Sequence, residues 1–189
     1  MTPVIFAIDP GLAYMGLAIV DASTRRLVDA DIFMSKKADS SRQVFASSDT
    51  MHRGASAYKF LKAHLKASQE RGERVVMVAH ESMSLPRNAS SSSKIGVSFG
   101  VVTAFSAELD VSLFEVSPAS LKKGFAYLGG TSKDDVCASV MRSDGFENLG
   151  EIFERRGIAK TYQNHVSDAA AVGIAACETP VARMLRAMK

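Results

Sequence analysis

The stretch Phe6-Ala7-Ile8-Asp9-Pro10-Gly11-Leu12-Ala13-Tyr14-Met15-Gly16 decides how the rest of the chain is read. The apolar run before the acid, Val4 to Ile8, is short and continuous, the pattern of a buried strand. It stops at Asp9, and Pro10-Gly11 is strong turn punctuation. A second apolar run, Leu17 to Val20, follows at once. The stretch therefore predicts a hairpin with a carboxylate at the end of its first strand. A charge there is costly unless something pairs with it, and a metal ion would do so. A turn aspartate that caps its own backbone is the other reading of Asp9. Gly11 and Gly16 lack a Cβ, which lets backbone approach a phosphate or a neighbouring strand closely.

Outward from the hairpin, Arg26 to Phe33 predicts a third strand, and Ser35 to Thr50 reads as an exposed loop. Met51, Ala55, Tyr58, Leu61 and Leu65 recur at helical spacing up to Gly72. The lysines off that stripe, Lys59, Lys62 and Lys66, read as a solvated face, with DNA contact as the alternative. Val75 to Ala79 is a Val-rich run of the kind found in sheets covered on both faces, and it ends at Glu81. A second acid thus emerges from a buried strand as Asp9 does. Leu85 to Ser93 predicts a loop. The helix after it runs to about Leu109 and is apolar on two sides, through Ile95, Phe99, Val102 and Phe105 and through Val97, Val101 and Ala104. Such a helix is buried twice, which points to a homodimer.

Val111 to Val116 predicts the fifth strand. Ser117-Pro118-Ala119-Ser120 opens a short helix, since Pro is tolerated in a first turn. Gly129 to Lys133 reads as a loop before a helix that carries Val136, Val140 and Met141. Asp134 and Asp135 at its start read as first-turn acids favoured by the helix dipole. Ser143 to Gln163 looks irregular, and its Arg155-Arg156 is either solvated or DNA-facing. An Ala-rich helix from about His165 to Cys177 can lie close against the sheet. The tail from about residue 180 to 189 is basic and amphipathic.

The chain has 189 residues, of which 47% are hydrophobic and 23% charged. That suits one domain, residues 1–189, with a sizeable core. No apolar run is long enough to span a membrane, and the N-terminus has no secretory signal pattern. The expected location is the cytoplasm, with a phage-encoded or organellar protein also consistent. The net charge of +3 permits a polyanionic partner without establishing one. Cys137 and Cys177 have no metal-type spacing and read as buried small side chains.

His165 and Asp168 are three apart at the start of the Ala-rich helix, so they share a face, roughly 5–6 Å apart at Cβ. Taken singly, His165 reads as a capping or surface histidine and Asp168 as a first-turn acid. With Asp9 and Glu81 they give three carboxylates and an imidazole. Hard oxygen ligands suit Mg²⁺, and the imidazole is tolerable to Mn²⁺. Two such ions, about 3.5–4 Å apart, clamp the attacking and leaving oxygens of a phosphodiester.

At these residues the sequence resembles the RuvC-type Holliday junction resolvases. Asp9-Pro10-Gly11 with Gly16, Glu81 after its Val-rich strand and His165-x-x-Asp168-Ala169-Ala170 carry the resemblance. Ser117 to Lys122 and Gly129 to Lys133 extend it over nearly the whole chain. It implies a ribonuclease H-like α/β fold, a mixed five-stranded sheet with helices on both faces. It also implies a homodimer that nicks two opposed strands of a four-way DNA junction with divalent metal, two ions per site, and no other cofactor. Asp9, Glu81, His165 and Asp168 match the family's four metal positions. Lys122 and Lys133 match lysines placed near DNA phosphates, with Lys123 beside them. Lys133 is expected to stabilise charge on the scissile phosphate. Some members carry an aromatic just after the second acid. Here Met83 or Leu85 stands in that loop, where stacking on a base is weaker without a ring, and Arg87 is a further candidate DNA contact.

Three rivals remain at this stage. A non-catalytic junction binder would need basic residues but not carboxylates. An ATPase of the actin and sugar-kinase type also opens with an Asp-x-Gly hairpin but needs a longer chain. A ribonuclease acting on RNA–DNA hybrids would keep the fold and the metal site.

Overall fold

The computed structural model describes residues 1–39, 45–82, 88–117, 121 and 133–188. The apolar runs form strands β1 (Thr2–Asp9), β2 (Tyr14–Asp21), β3 (Leu27–Met34), β4 (Glu73–Glu81) and β5 (Ser112–Val116). They make one sheet in the order β3-β2-β1-β4-β5. β1, β2 and β3 pair antiparallel, while β4 joins β1 and β5 joins β4 in parallel. This is the mixed five-stranded sheet expected from the sequence. Val4 to Ile8 is fully buried because β1 is central and covered on both faces.

Side chains alternate between the two layers. Val4, Phe6, Ile8, Leu17, Ile19 and Val78 pack with α1 (Ala46–Glu70) and α2 (Ala89–Leu109), through Ala57, Leu61, Val102 and Phe105. Ile5, Ala7, Ala18, Val20, Met77 and Ala79 face the opposite way. There they meet α3 (Lys133–Met141), α4 (Leu149–Arg156), α5 (Gln163–Ala176) and α6 (Pro180–Ala187). The second layer is built from small residues on both sides, so α5 lies close to the sheet, as its alanines predict. A Cβ on Gly173 would sit 2.8 Å from Val20 Cγ2 and 3.3 Å from Ala7 Cβ.

Three segments differ from the sequence expectation. α1 begins at Ala46, so the end of the predicted Ser35 to Thr50 loop is its first turn. Asp49 anchors that turn by accepting from the Ala38 N–H at 2.9 Å and pairing with Arg53 at 3.7 Å. α2 begins at Ala89, so the four serines expected in a loop are helical. The Asn88 side chain caps them by accepting from the Ser91 N–H at 2.7 Å, and a satisfied cap outweighs the modest helix propensity of Ser. The segment expected to be irregular, Ser143 to Gln163, contains α4 and a 3₁₀ turn, Lys160–Tyr162. Leu149, Ile152 and Phe153 are one buried helical face, and Gly157 ends α4 with φ 64°.

Candidate active site

Register brings the first two acids together. Ile8 pairs with His80 across the parallel β1–β4 ladder. Asp9 and Glu81 each follow by one residue, so they end neighbouring strands one rung apart, roughly 4.8 Å in the backbone. Alternation puts both on the face covered by α5, the face of Ala7 and Ala79. His80 takes the opposite face, buried edge-to-face against Phe99 at a centroid distance of 5.2 Å.

The helix that carries the other two residues is seated by Gly16. Gly16 is the β2 partner of Asp9. A Cβ there would lie 2.0 Å from the His165 carbonyl oxygen and 2.6 Å from its carbon. The freedom read from the missing Cβ is therefore used for neither a phosphate nor a strand. It admits the first turn of α5, directly beside Asp9.

In that position His165 Nδ1 lies 2.8 Å from Asp9 Oδ2. An ionised carboxylate only accepts, so Nδ1 is the donor, and the tautomer with its single proton there has its lone pair on Nε2. Both side chains are partly open to solvent, His165 26% and Asp9 19% exposed. Asp168 lies one turn further along α5, partly buried, as is Glu81. Glu81 and Asp168 each have interactions of their own. Among the described residues no three His, Cys, Asp or Glu side chains are drawn into one ligand cage. The contact made is between Asp9 and His165.

The donor chemistry fits a hard divalent cation. Three carboxylates and one imidazole arise from two adjacent strand ends and the helix turn pressed against them. A carboxylate on one nitrogen of an imidazole fixes the tautomer whose other nitrogen can bind a metal.

An aromatic pair at the site went unread in the sequence. Tyr14 stacks on His165 with centroids 5.4 Å apart and planes 27° apart, and it meets Tyr162 at 5.0 Å. A hydrogen bond with Tyr162 raises the Tyr14 hydroxyl above its ordinary pKa. The second strand was expected to begin at Leu17. It begins at Tyr14, so Tyr14, Gly16 and Ala18 share the face toward α5. An alternation test begun three residues earlier would have found it.

The basic run Arg155-Arg156 is exposed, as one of its two readings had it, and its guanidinium groups also have a structural task. Arg155 pairs with Asp29 at 3.0 Å, and Arg156 bridges Asp29 and, at 3.3 Å, Asp31. On α1, Lys62 pairs with Glu108 of α2. Cys177 is fully buried, and burial pushes its thiol up to about 11. Lys122, Lys123, Met83, Leu85 and Arg87 lie outside the described residues, as does the side chain of Lys133, whose backbone opens α3.

The sequence model of a family described as crossover junction endodeoxyribonuclease RuvC matches residues 5–176. Among solved structures, the Thermus thermophilus RuvC in complex with Holliday junction substrate is similar with a TM-score of 0.60 and 20% identity. That match covers 97% of this chain and 96% of the other. The yeast mitochondrial Holliday junction resolvase Ydc2 is similar with a TM-score of 0.58 and 12% identity, covering 99% of this chain and 85% of the other. At these identities the structural likeness concerns the fold.

Proposed function

This chain belongs to the RuvC family of crossover junction endodeoxyribonucleases, and on that premise we propose that it resolves four-way DNA junctions where Asp9 and His165 meet. The observation that carries the reading is the 2.8 Å contact between them, made beside the end of β4 that bears Glu81. The described residues contain no helix long and apolar enough to cross a membrane. We place the protein with DNA in the cytoplasm.

Asp9, Glu81, His165 and Asp168 are the residues that would hold divalent cations, Mg²⁺ by preference and Mn²⁺ as a substitute, with two ions per site. When bound, the ions supply Lewis-acid stabilisation of the charge on phosphorus and make water a better nucleophile near neutral pH. The protein's part is to hold those ligands ready. Asp9 keeps one imidazole proton on Nδ1 and so leaves Nε2 free to donate its lone pair. The closely packed α5 fixes the backbone of His165 and Asp168 against the sheet. Lys133, at the start of α3, would meet charge developing on the scissile phosphate. Lys122, Lys123 and Arg87 would hold the DNA backbone, and Met83 or Leu85 would wedge into the junction. Attack by water at phosphorus with cleavage of the P–O3′ bond leaves a 5′-phosphate and a 3′-hydroxyl.

Symmetric nicking of two strands asks for two copies of the site. The face of the α1–α2 layer turned away from the sheet offers a surface for that. Met51, Ala55, Tyr58, Val97, Val101 and Ala104 line an open apolar groove of about 510 Å³. Met51 is 66% exposed, and Val97, Val101 and Ala104 are the second apolar side read from the sequence. A homodimer across this groove would cover it. Ala104→Glu should then shift the mass in solution from dimer to monomer, measured by sedimentation. A variant that stays dimeric would move the interface elsewhere.

The activity is tested on a labelled four-way junction in Mg²⁺, beside a linear duplex and an RNA–DNA hybrid, with Asp9→Asn as control. Paired symmetric nicks in the junction alone, absent in the variant, are expected. Junction binding without cutting in either Mg²⁺ or Mn²⁺ would make the protein a non-catalytic binder. Cutting of the hybrid alone would change the substrate.

A further inference from the structure

Three contacts converge on the His165 ring and its backbone. Asp9 Oδ2 accepts a hydrogen bond from Nδ1–H, with the two heavy atoms 2.8 Å apart. Gly16 leaves the space into which the His165 carbonyl fits. Tyr14, two residues before Gly16 on the same face of β2, lies against the imidazole plane. The first two contacts fix where the residue sits and what one nitrogen meets. The hydrogen bond sets the plane only within the tolerance of one N–H···O contact, and the terminal torsion of a histidine is otherwise soft, so a second contact is needed to hold it. A ring stacked at 27° does so. Tyr14 is itself held from the other end of that turn, where Tyr162 meets it at 5.0 Å. Tyr162 and His165 bracket the first turn of α5, so the stack ties that turn to the start of β2.

We infer that Tyr14 is a positioning residue for His165, holding the imidazole in the orientation that keeps Nδ1 on Asp9 and presents Nε2 to a divalent cation. It touches neither substrate nor the reacting atoms in this role. The ring does the positioning, and the hydroxyl, through its hydrogen bond with Tyr162, is secondary to it. Tyr14 is 36% exposed, so the ring is not required to fill the core. A structural explanation for its place at the site is correspondingly weak. The inference rests on reading His165 as a metal ligand, and the test separates the two.

Two readouts decide it, neither of which is cleavage. The first is the ¹⁵N spectrum of the His165 ring in metal-free protein at mildly alkaline pH. Wild type and Tyr14→Phe should show one tautomer, protonated on Nδ1. Tyr14→Leu should show a mixture. The second is Mn²⁺ binding by the metal ion alone. Tyr14→Leu should bind roughly three- to tenfold more weakly, the size of an aromatic pair, with Tyr14→Phe restored and thermal unfolding little changed. A single Nδ1–H tautomer in Tyr14→Leu would overturn the positioning role. So would Mn²⁺ binding at wild-type strength in Tyr14→Leu while His165→Ala binds weakly. If His165→Ala itself binds Mn²⁺ as wild type does, the ligand reading fails, and the tautomer measurement alone still decides what Tyr14 does.

Discussion

Two places in this molecule set strand acids against an imidazole, and they are resolved in opposite ways. At the edge of the sheet, Asp29 and Asp31 of β3 are both met by guanidinium groups. Arg155 and Arg156 of α4 hold Asp29, Arg156 reaches on to Asp31, and His64 of α1 meets Asp31 at 3.2 Å. The Asp29 side chain is 8% exposed. At the end of β1, Asp9 meets one imidazole and no arginine among the described residues, and it keeps more contact with solvent than Asp29 does. Guanidinium forks satisfy carboxylates completely and permanently. The imidazole meets one oxygen of Asp9. The first cluster clasps α1 and α4 to an edge strand. The second, on the function proposed above, is an acid held for a divalent cation.

If that contrast is right, the same chemical change should abolish function at one place and lower stability at the other. Asp9→Asn should cut junction cleavage by about a thousandfold or more while thermal unfolding stays near wild type. A stability loss with cleavage retained would reverse the assignment. Gly16→Ala should come next. Its Cβ would meet backbone at 2.0 Å, and backbone has nowhere to go. Displacing the α5 turn by about an ångström should cost roughly a hundredfold in cleavage, and circular dichroism should show earlier melting. At the edge, Asp29→Asn should cost about 2 kcal/mol in denaturant unfolding with cleavage per folded molecule unchanged.

A smaller effect separates the clusters by pH. Burial works against the Asp31 charge, but hydrogen bonds from His64 and the Ile32 N–H, with Arg156 nearby, outweigh it and hold its pKa below the ordinary value. A lowered folded-state pKa contributes stability above the unfolded-state value, about 3.9, and the contribution is lost as pH falls through the folded one. The stability gap between wild type and Asp31→Asn should therefore be present at neutral pH and close below about pH 4. A gap that widens on acidification would contradict the lowered pKa. Smallest of all, Arg155→Ala should cost less than about 1 kcal/mol, because its side chain is 63% exposed.

Much of this was legible because burial writes itself into composition. Val4 to Ile8 and Val75 to Ala79 are continuous apolar runs since both faces of the central strands are covered. The acids that end those runs stood out for the same reason. The β3 cluster was invisible, because Asp29 and Asp31 interrupt an alternating strand as solvent-facing acids would. Their arginines lie 126 and 127 residues away, a separation no local pattern bridges. The serines of α2 misled because a run of Ser resembles a loop until its Asn88 cap is seen. Arg155-Arg156 is exposed, as one of its two readings had it, but its ion pairs to β3 join segments too far apart in the chain to be read locally.

The sequence by itself determined the order of the strands' apolar runs, the acids placed at their ends and the alanines that let one helix come close. These are local properties, set by which side chains can be buried and where a chain must turn. Only the tertiary structure decided which acids stay available. Register set Asp9 beside Gly16, the missing Cβ drew His165 onto that spot, and Tyr14 turned out to share its face. Each of these depends on distances between segments far apart in the chain. Such distances are fixed by close packing across the sheet, which no single segment encodes.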